Sequence, residues 1–221
     1  MYDLHTHTIF SDGVLLPSEL VQRAKDRGYK GIAITDHVDF SNLDFVIDRL
    51  FEFYYESGSD FGIDVIIGVE ITHVPPRLIE KAVYKARAKG VKLVIVHGET
   101  LVEPVEQGTN RAAIEAGADI LAHPGLIKEE EVKLASEKGV YLEISTRKGH
   151  CYTNGHVASL ARKYEAKLII NNDAHEPGDL VPFSLRKRIA LGSGLSEEEF
   201  DRVEKDTSFL FQKVLTSKVL V

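Results

Sequence analysis

The sequence predicts an α/β protein in which parallel strands alternate with helices. Three observations lead there. Short β-branched apolar runs recur along the chain, amphipathic stretches of helical spacing lie between them, and histidines and acids gather just past the ends of the runs. Counting "YDLH" as the first strand gives seven, spaced roughly 20–33 residues apart, as β/α units are. The runs are apolar almost throughout, which means strands covered by helices on both faces and hence a parallel sheet.

The strands after "YDLH" (2–5) are "GIAIT" (31–35), "DVIIGV" (64–69), "KLVIV" (92–96), "ADILA" (118–122), "VYLEI" (140–144) and "KLIIN" (167–171). In "PSELVQRAKDRG" (17–28), Leu20, Val21 and Ala24 make an apolar stripe. Pro17 suits a first helical turn, and Gly28 suits a stop. "PRLIEKAVYKARAKG" (76–90) and "KEEEVKLASEKG" (128–139) repeat that design. The tail (196–215) opens with "SEEEF", an N-cap serine followed by acids in the first turn, so it reads as a closing helix. Seven such units could form a closed barrel or a doubly wound open sheet, and periodicity does not separate the two.

Composition sets the outer limits. The chain has 221 residues, 43% hydrophobic and 28% charged, enough to bury a large core. Neither a composition shift nor a long linker divides it, so one domain over 1–221 is expected. A net charge of −7 argues against a nucleic-acid partner. The single cysteine, Cys151, excludes an intrachain disulfide and suits a reducing compartment. No apolar run is long enough to span a bilayer and the N-terminus does not read as a signal peptide, so a cytoplasmic protein is expected.

The strand ends carry the chemistry. In "DLHTHTIFSDG", His5 and His7 are one residue apart, and alternate side chains of a strand face the same way, so the two imidazoles converge; Asp12 follows. "TDH" supplies Asp36 and His37, "GVE" supplies Glu70, "VHGE" supplies His97 and Glu99, "AHPG" supplies His123, and "NNDAH" supplies Asp173 and His175. Six of the nine histidines thus fall at one rim, where barrels hold their active sites. Buried imidazoles and carboxylates are costly unless paired or coordinated, so the set points to a metal site. His73 reads as a loop residue, and His150 and His156 as residues of the pocket mouth. Cys151 has no matched base at a recognisable spacing and does not read as a nucleophile. Asp36 is open to two roles, orienting a ligand imidazole or capping a turn.

Taken in order, "DLHTHTIFSDG", "ITDH", "GVE", "VHGE", "AHPG" and "NDAH" resemble the PHP (polymerase and histidinol phosphatase) family, from Asp3 to His175. Amidohydrolase barrels also begin with HxH but lack the "TDH…GVE" pair. The resemblance implies a distorted (β/α)7 barrel with a trinuclear centre, two to three divalent ions of zinc, manganese or iron, at the C-terminal rim. Carried over by position, His5, His7, Glu70 and Asp173 would hold one metal, with Glu70 bridging to a second completed by His97 and His123. His37, His175 and Asp12 would hold the third.

Such a centre suits hydrolysis of a phosphoester by a metal-activated water, beside Asp173 and His175 as catalytic residues. Arg147 and Lys148, in an exposed loop after "VYLEI", would bind the substrate phosphate, with Arg186 a further basic candidate. In the same segment, Glu143 is either a pocket acid or a paired structural carboxylate, and Ser145 stands where relatives often have Asn. A small phosphorylated molecule is the expected substrate. The alternatives are a phosphodiesterase or nuclease acting on nucleotides, and a non-catalytic subunit such as an RNase P protein component.

Overall fold

The computed structural model describes residues 1–217. Its strands are β1 (Tyr2–Asp3), β2 (Gly31–Ile34, continued by His37–Val38), β3 (Asp64–Ile71), β4 (Leu93–His97), β5 (Ile120–Ala122), β6 (Tyr141–Ser145) and β7 (Leu168–Asn171). All pair in parallel and in sequence order. The two pieces of β2 share one register, Ile34 opposite Ile67 and His37 opposite Glu70, so they are one strand interrupted at Thr35–Asp36. β3 runs two residues further than its apolar run suggests, which places Glu70 inside the strand.

The sheet curls until its first and last strands meet. There the ladder shrinks to a parallel bridge between Thr6 and Ala174, with the His7 N–H donating to the Ala174 carbonyl at 2.8 Å. Just below it the Leu4 N–H donates to Asn171 Oδ1 at 3.0 Å. This is the distorted seven-stranded barrel, and the open sheet is excluded.

Helices α1 (Pro17–Asp26), α2 (Leu43–Ser57), α3 (Pro76–Ala88), α4 (Thr109–Glu115), α5 (Glu129–Lys138) and α6 (Asn154–Tyr164) follow the first six strands, and α7 (Phe183–Gly192) and α8 (Glu197–Thr216) close the chain. The larger apolar core lies between strands and helices, and includes the Leu20, Val21 and Ala24 stripe of α1. A smaller core fills the barrel itself. There Leu4, Ala33, Ile66, Ile95 and Ile169 meet Leu210, Phe211 and Val214 of α8, which plugs the end opposite the histidines. α8 starts as its sequence predicts: Ser196 Oγ accepts from the Glu199 N–H, and Glu199 Oε2 accepts from the Ser196 N–H. No helix among the described residues is long and apolar enough to cross a membrane.

Arg186 of α7 is fully buried and far from the role of a substrate-binding cation. It pairs with Glu204 at 2.6 Å and Asp3 at 3.5 Å and donates to the Ile170 carbonyl. That corrects its candidacy: a guanidinium with this many partners ties α7, α8, β1 and β7 together.

Candidate metal centre

Each strand delivers its polar residues to the same end of the barrel, and the seam sets the first contacts. Because Thr6 pairs with Ala174, His5 and His7 lie beside Asp173 and His175. Asp173 Oδ1 is 3.3 Å from His7 Nε2 and 3.7 Å from His5 Nε2. From the opposite wall, Glu70 Oε2 lies 3.1 Å from His5 Nε2, 3.5 Å from His7 Nε2 and 2.8 Å from His37 Nδ1. Its other oxygen is 3.6 Å from His123 Nε2. Asp12 reaches in from the first loop, 3.1 Å from His175 Nε2 and 3.5 Å from His37 Nε2.

The nine residues named from sequence therefore fall into overlapping groups whose donor atoms could share an ion. These are His5, His7 and Glu70; His5, His123 and Asp173; Glu70, His97 and His123; and His7, Asp12, His37 and His175. The imidazoles pack against one another, with ring centroids 4.1 Å apart for His7–His37 and His7–His175 and 4.4 Å for His97–His123.

Electrostatics and unmet hydrogen bonds test the fit. Burial disfavours charge on Glu70 and Asp173, yet neighbouring imidazoles, His5 foremost, outweigh it and hold both carboxyls well below the usual range. Burial also keeps His7 and His123 neutral, assisted by His37 beside the first and His97 beside the second. Burial would lower His5 and His37 as well, but Glu143 and Glu70 raise the first and Glu70 lifts the second to about 9. Seven of the eight buried side-chain atoms without a hydrogen-bond partner among the described residues belong to His5, His7, Glu70, His123 and Asp173. Ionised carboxylates and imidazole nitrogens, buried, convergent and without hydrogen-bond partners, are the donor set that divalent cations take.

Backbone geometry supports the arrangement. His123 and Asp173 sit at positive φ, 26° and 53°, conformations that side chains other than Gly adopt only when their surroundings impose them. The glycines of "VHGE" and "AHPG" allow their loops to interlock. A Cβ on Gly98 would come within 2.3 Å of the Ala122 carbonyl, and one on Gly125 within 1.8 Å of the Glu99 carbonyl.

A cavity of about 370 Å³ opens over the cluster, bounded by Asp12, His37, His97, Glu103, Arg147 and His150 among others. Glu103 and His150 are the two residues that sequence reasoning missed or undervalued. Glu103 Oε2 is 3.0 Å from His97 Nε2, and its Oε1 is 3.4 Å from His150 Nε2. His150 is buried, its ring tilted 30° to that of His123 with centroids 4.1 Å apart, and it bonds Thr100 Oγ1 through Nδ1. Neither lies at a strand end; the path of the loops brings them in.

Arg147 does line the cavity, but it is only 27% exposed. Its Nη1 donates to Asp179 Oδ2 at 3.1 Å and to the Asp173 carbonyl at 3.0 Å, and lies 2.7 Å from His175 Nδ1. Lys148 lines an adjoining cavity with Val14, Glu176 and Asp179 instead. His73 stands at the lip, 3.7 Å from Glu103. His156 points elsewhere, its Nε2 bonded to the Ile127 carbonyl. Cys151 is half-buried in the short turn His150–Thr153.

The open roles are settled by contacts. Asp36 braces the first loop, accepting from the Thr8 N–H, Thr8 Oγ1 and Ser11 Oγ, and so caps a turn. Glu99 accepts from the N–H groups of Gly108 and Asn110. Ser145 Oγ accepts from the Arg147 N–H. Glu143 is buried and fully paired, to His5, Asn171 and the His123 backbone.

Comparison with known proteins agrees with this geometry. The sequence pattern of the PHP domain matches residues 3–125. An uncharacterized protein of Methanocaldococcus jannaschii is 45% identical over 207 residues, covering 90% of this chain and 93% of that one. Ribonuclease P protein component 3 of Methanosarcina mazei is 29% identical over 90% of this chain and 82% of its own length. Among solved structures, the Aspergillus niger ochratoxinase superposes with a TM-score of 0.55 at 14% identity, over 91% of this chain and 68% of that one, a likeness of fold.

Proposed function

The chain belongs to the PHP domain family, and on that premise we propose that it is a metal-dependent phosphoesterase acting on a small phosphomonoester. The observation that carries this reading is the convergence of nine histidines and carboxylates, their innermost atoms unpartnered, beneath a single cavity. His5, His7, Glu70 and Asp173 would hold one divalent ion, Glu70, His97 and His123 a second, and Asp12, His37 and His175 a third. Zinc, manganese and iron all suit this donor set. Such ions supply an activated water and neutralise charge on the phosphoryl oxygens.

The protein's own groups supply position. Glu70 and Asp173 each face imidazoles from several strands and hold the donors in register. Asp36 fixes the loop that presents Asp12. Arg147 is anchored through Nη1, and its Nη2 has no hydrogen-bond partner among the described residues, so it can donate to a phosphate oxygen at the cavity wall. The cavity volume suits a small molecule. The net charge of −7 supports a monoester over a polymeric nucleic acid.

A panel of esters tests this. Faster release of phosphate from p-nitrophenyl phosphate and histidinol phosphate than cleavage of bis-p-nitrophenyl phosphate or single-stranded DNA is expected. The reverse order would overturn it.

A second reading has its own support, the likeness to the RNase P protein component over most of the chain. In that reading the barrel is a subunit bound to RNA and its donor set is a remnant. Tight, salt-sensitive binding of structured RNA by a protein with no phosphate release would favour it.

A further inference from the structure

β6 is the strand whose end sends none of the nine donors into the cluster, yet it carries Glu143 directly behind them. This carboxylate is 1% exposed, and both of its oxygens are engaged. Oε1 accepts from His5 Nδ1 at 2.8 Å and from Asn171 Nδ2 at 2.9 Å. Oε2 accepts from the backbone N–H of His123 at 3.1 Å. An ionised carboxylate only accepts, so the first contact requires a proton on His5 Nδ1 and leaves Nε2, 3.1 and 3.7 Å from Glu70 and Asp173, as the nitrogen that would ligate a metal. The second contact holds a histidine whose φ of 26° needs outside support.

His5 and His123 are far apart in the chain; they share one donor group with Asp173, and each also stands in a group without the other, His5 with His7 and Glu70 and His123 with Glu70 and His97. We propose that Glu143 is a positioning residue that couples these two metal sites, fixing the tautomer of one ligand and the backbone of another through a single carboxylate. The proposal rests on the metal-centre reading and adds a shared support to it. A merely structural acid could be exchanged for its amide without consequence for the metals. Here it cannot, because an amide accepts through one atom only. Whichever way a glutamine faces, either His5 or His123 meets a donor where it needs an acceptor.

The test uses the full chain reconstituted with Zn²⁺, as wild type and as Glu143→Gln. Zinc content is read by elemental analysis, and affinity by competition with a chelator. The expected result is zinc bound about 10–100-fold more weakly by the variant, with fewer ions retained per chain. Unchanged stoichiometry and affinity would overturn the proposal. Long-range ¹H–¹⁵N spectra of the zinc-loaded wild type keep it falsifiable if the variant does not fold. His5 must carry its proton on Nδ1, and a bare Nδ1 overturns the proposal by itself. Wild-type protein that binds zinc but releases no phosphate would refute the phosphoesterase reading while leaving this one standing. Wild-type protein that retains no zinc would refute both.

Discussion

Arg147 donates to Asp179 at 3.1 Å, so the guanidinium in the cavity wall is already held by a carboxylate before any substrate arrives. An anchored arginine is a better clamp than a loose one, since less side-chain freedom is lost on binding.

Replacing Arg147 by alanine should lower kcat/KM by something like 10–1,000-fold, equivalent to about 1.4–4 kcal/mol. Because three groups surround its Nη1, the variant should also melt a few degrees lower, for a loss of about 1–2 kcal/mol. Arg147→Lys should recover only part of the activity, because an ammonium lacks the planar fork. Full activity in the alanine variant would make Arg147 a brace for the Asp179 loop and nothing more.

Asp173→Asn isolates charge from conformation. Asparagine tolerates the φ of 53° as well as aspartate does, so the backbone should be undisturbed. Removing the carboxylate takes a negative group from beside His5, His7 and His123. The expected result is loss of bound metal and at least a ~100-fold fall in turnover, with the melting temperature of the metal-free protein close to wild type. Elemental analysis and calorimetry check both halves.

Chelation should abolish phosphate release, and added Zn²⁺ or Mn²⁺ should restore it. His123→Ala should lose metal and turnover in the same way while remaining folded, since most of the core lies below the rim. Near-normal turnover after either treatment would show that the cluster is not the reactive centre.

Acid should loosen the cavity wall. His150 and then His97, both against its carboxylate, hold Glu103 well below the usual range. A carboxyl depressed in the folded state adds stability above its unfolded value, near 4.3, and that contribution fades as pH falls through the folded value. The melting temperature of the metal-free protein should therefore drop below about pH 5, and Glu103→Gln should flatten part of that drop. An identical pH profile in the variant would show that these contacts contribute nothing to stability.

Much of this molecule is legible in its sequence. The apolar runs mark all seven strands, and "SEEEF" marks the cap of α8, because both signals are local. The nine strand-end residues do lie together, since a parallel barrel brings all its strand ends to one rim. What the sequence does not disclose depends on side-chain reach across loops. Glu103 lies beside His97 and His150 because the segment after β4 folds back over the cavity, and no periodicity announces that. Arg147 looks like an exposed loop residue until Asp179 is placed against it. Asp36 stands next to a proposed ligand, yet its oxygens turn to Thr8 and Ser11. Glu143 could be read as a pocket acid or a buried brace, and only the positions of His5 and His123 decide between them.

The bridge between Thr6 and Ala174 also sets an order in time. During synthesis His5 and His7 precede Asp173 and His175, their neighbours across this bridge, by six β/α units. Until the last strand docks against the first, the cage around those imidazoles lacks Asp173 and His175. Pairing across so long a stretch of chain is among the slower events of folding. Metal capture therefore belongs to the end of biogenesis, and a nascent or truncated chain that stops short of Asp173 would compete poorly for zinc, manganese or iron.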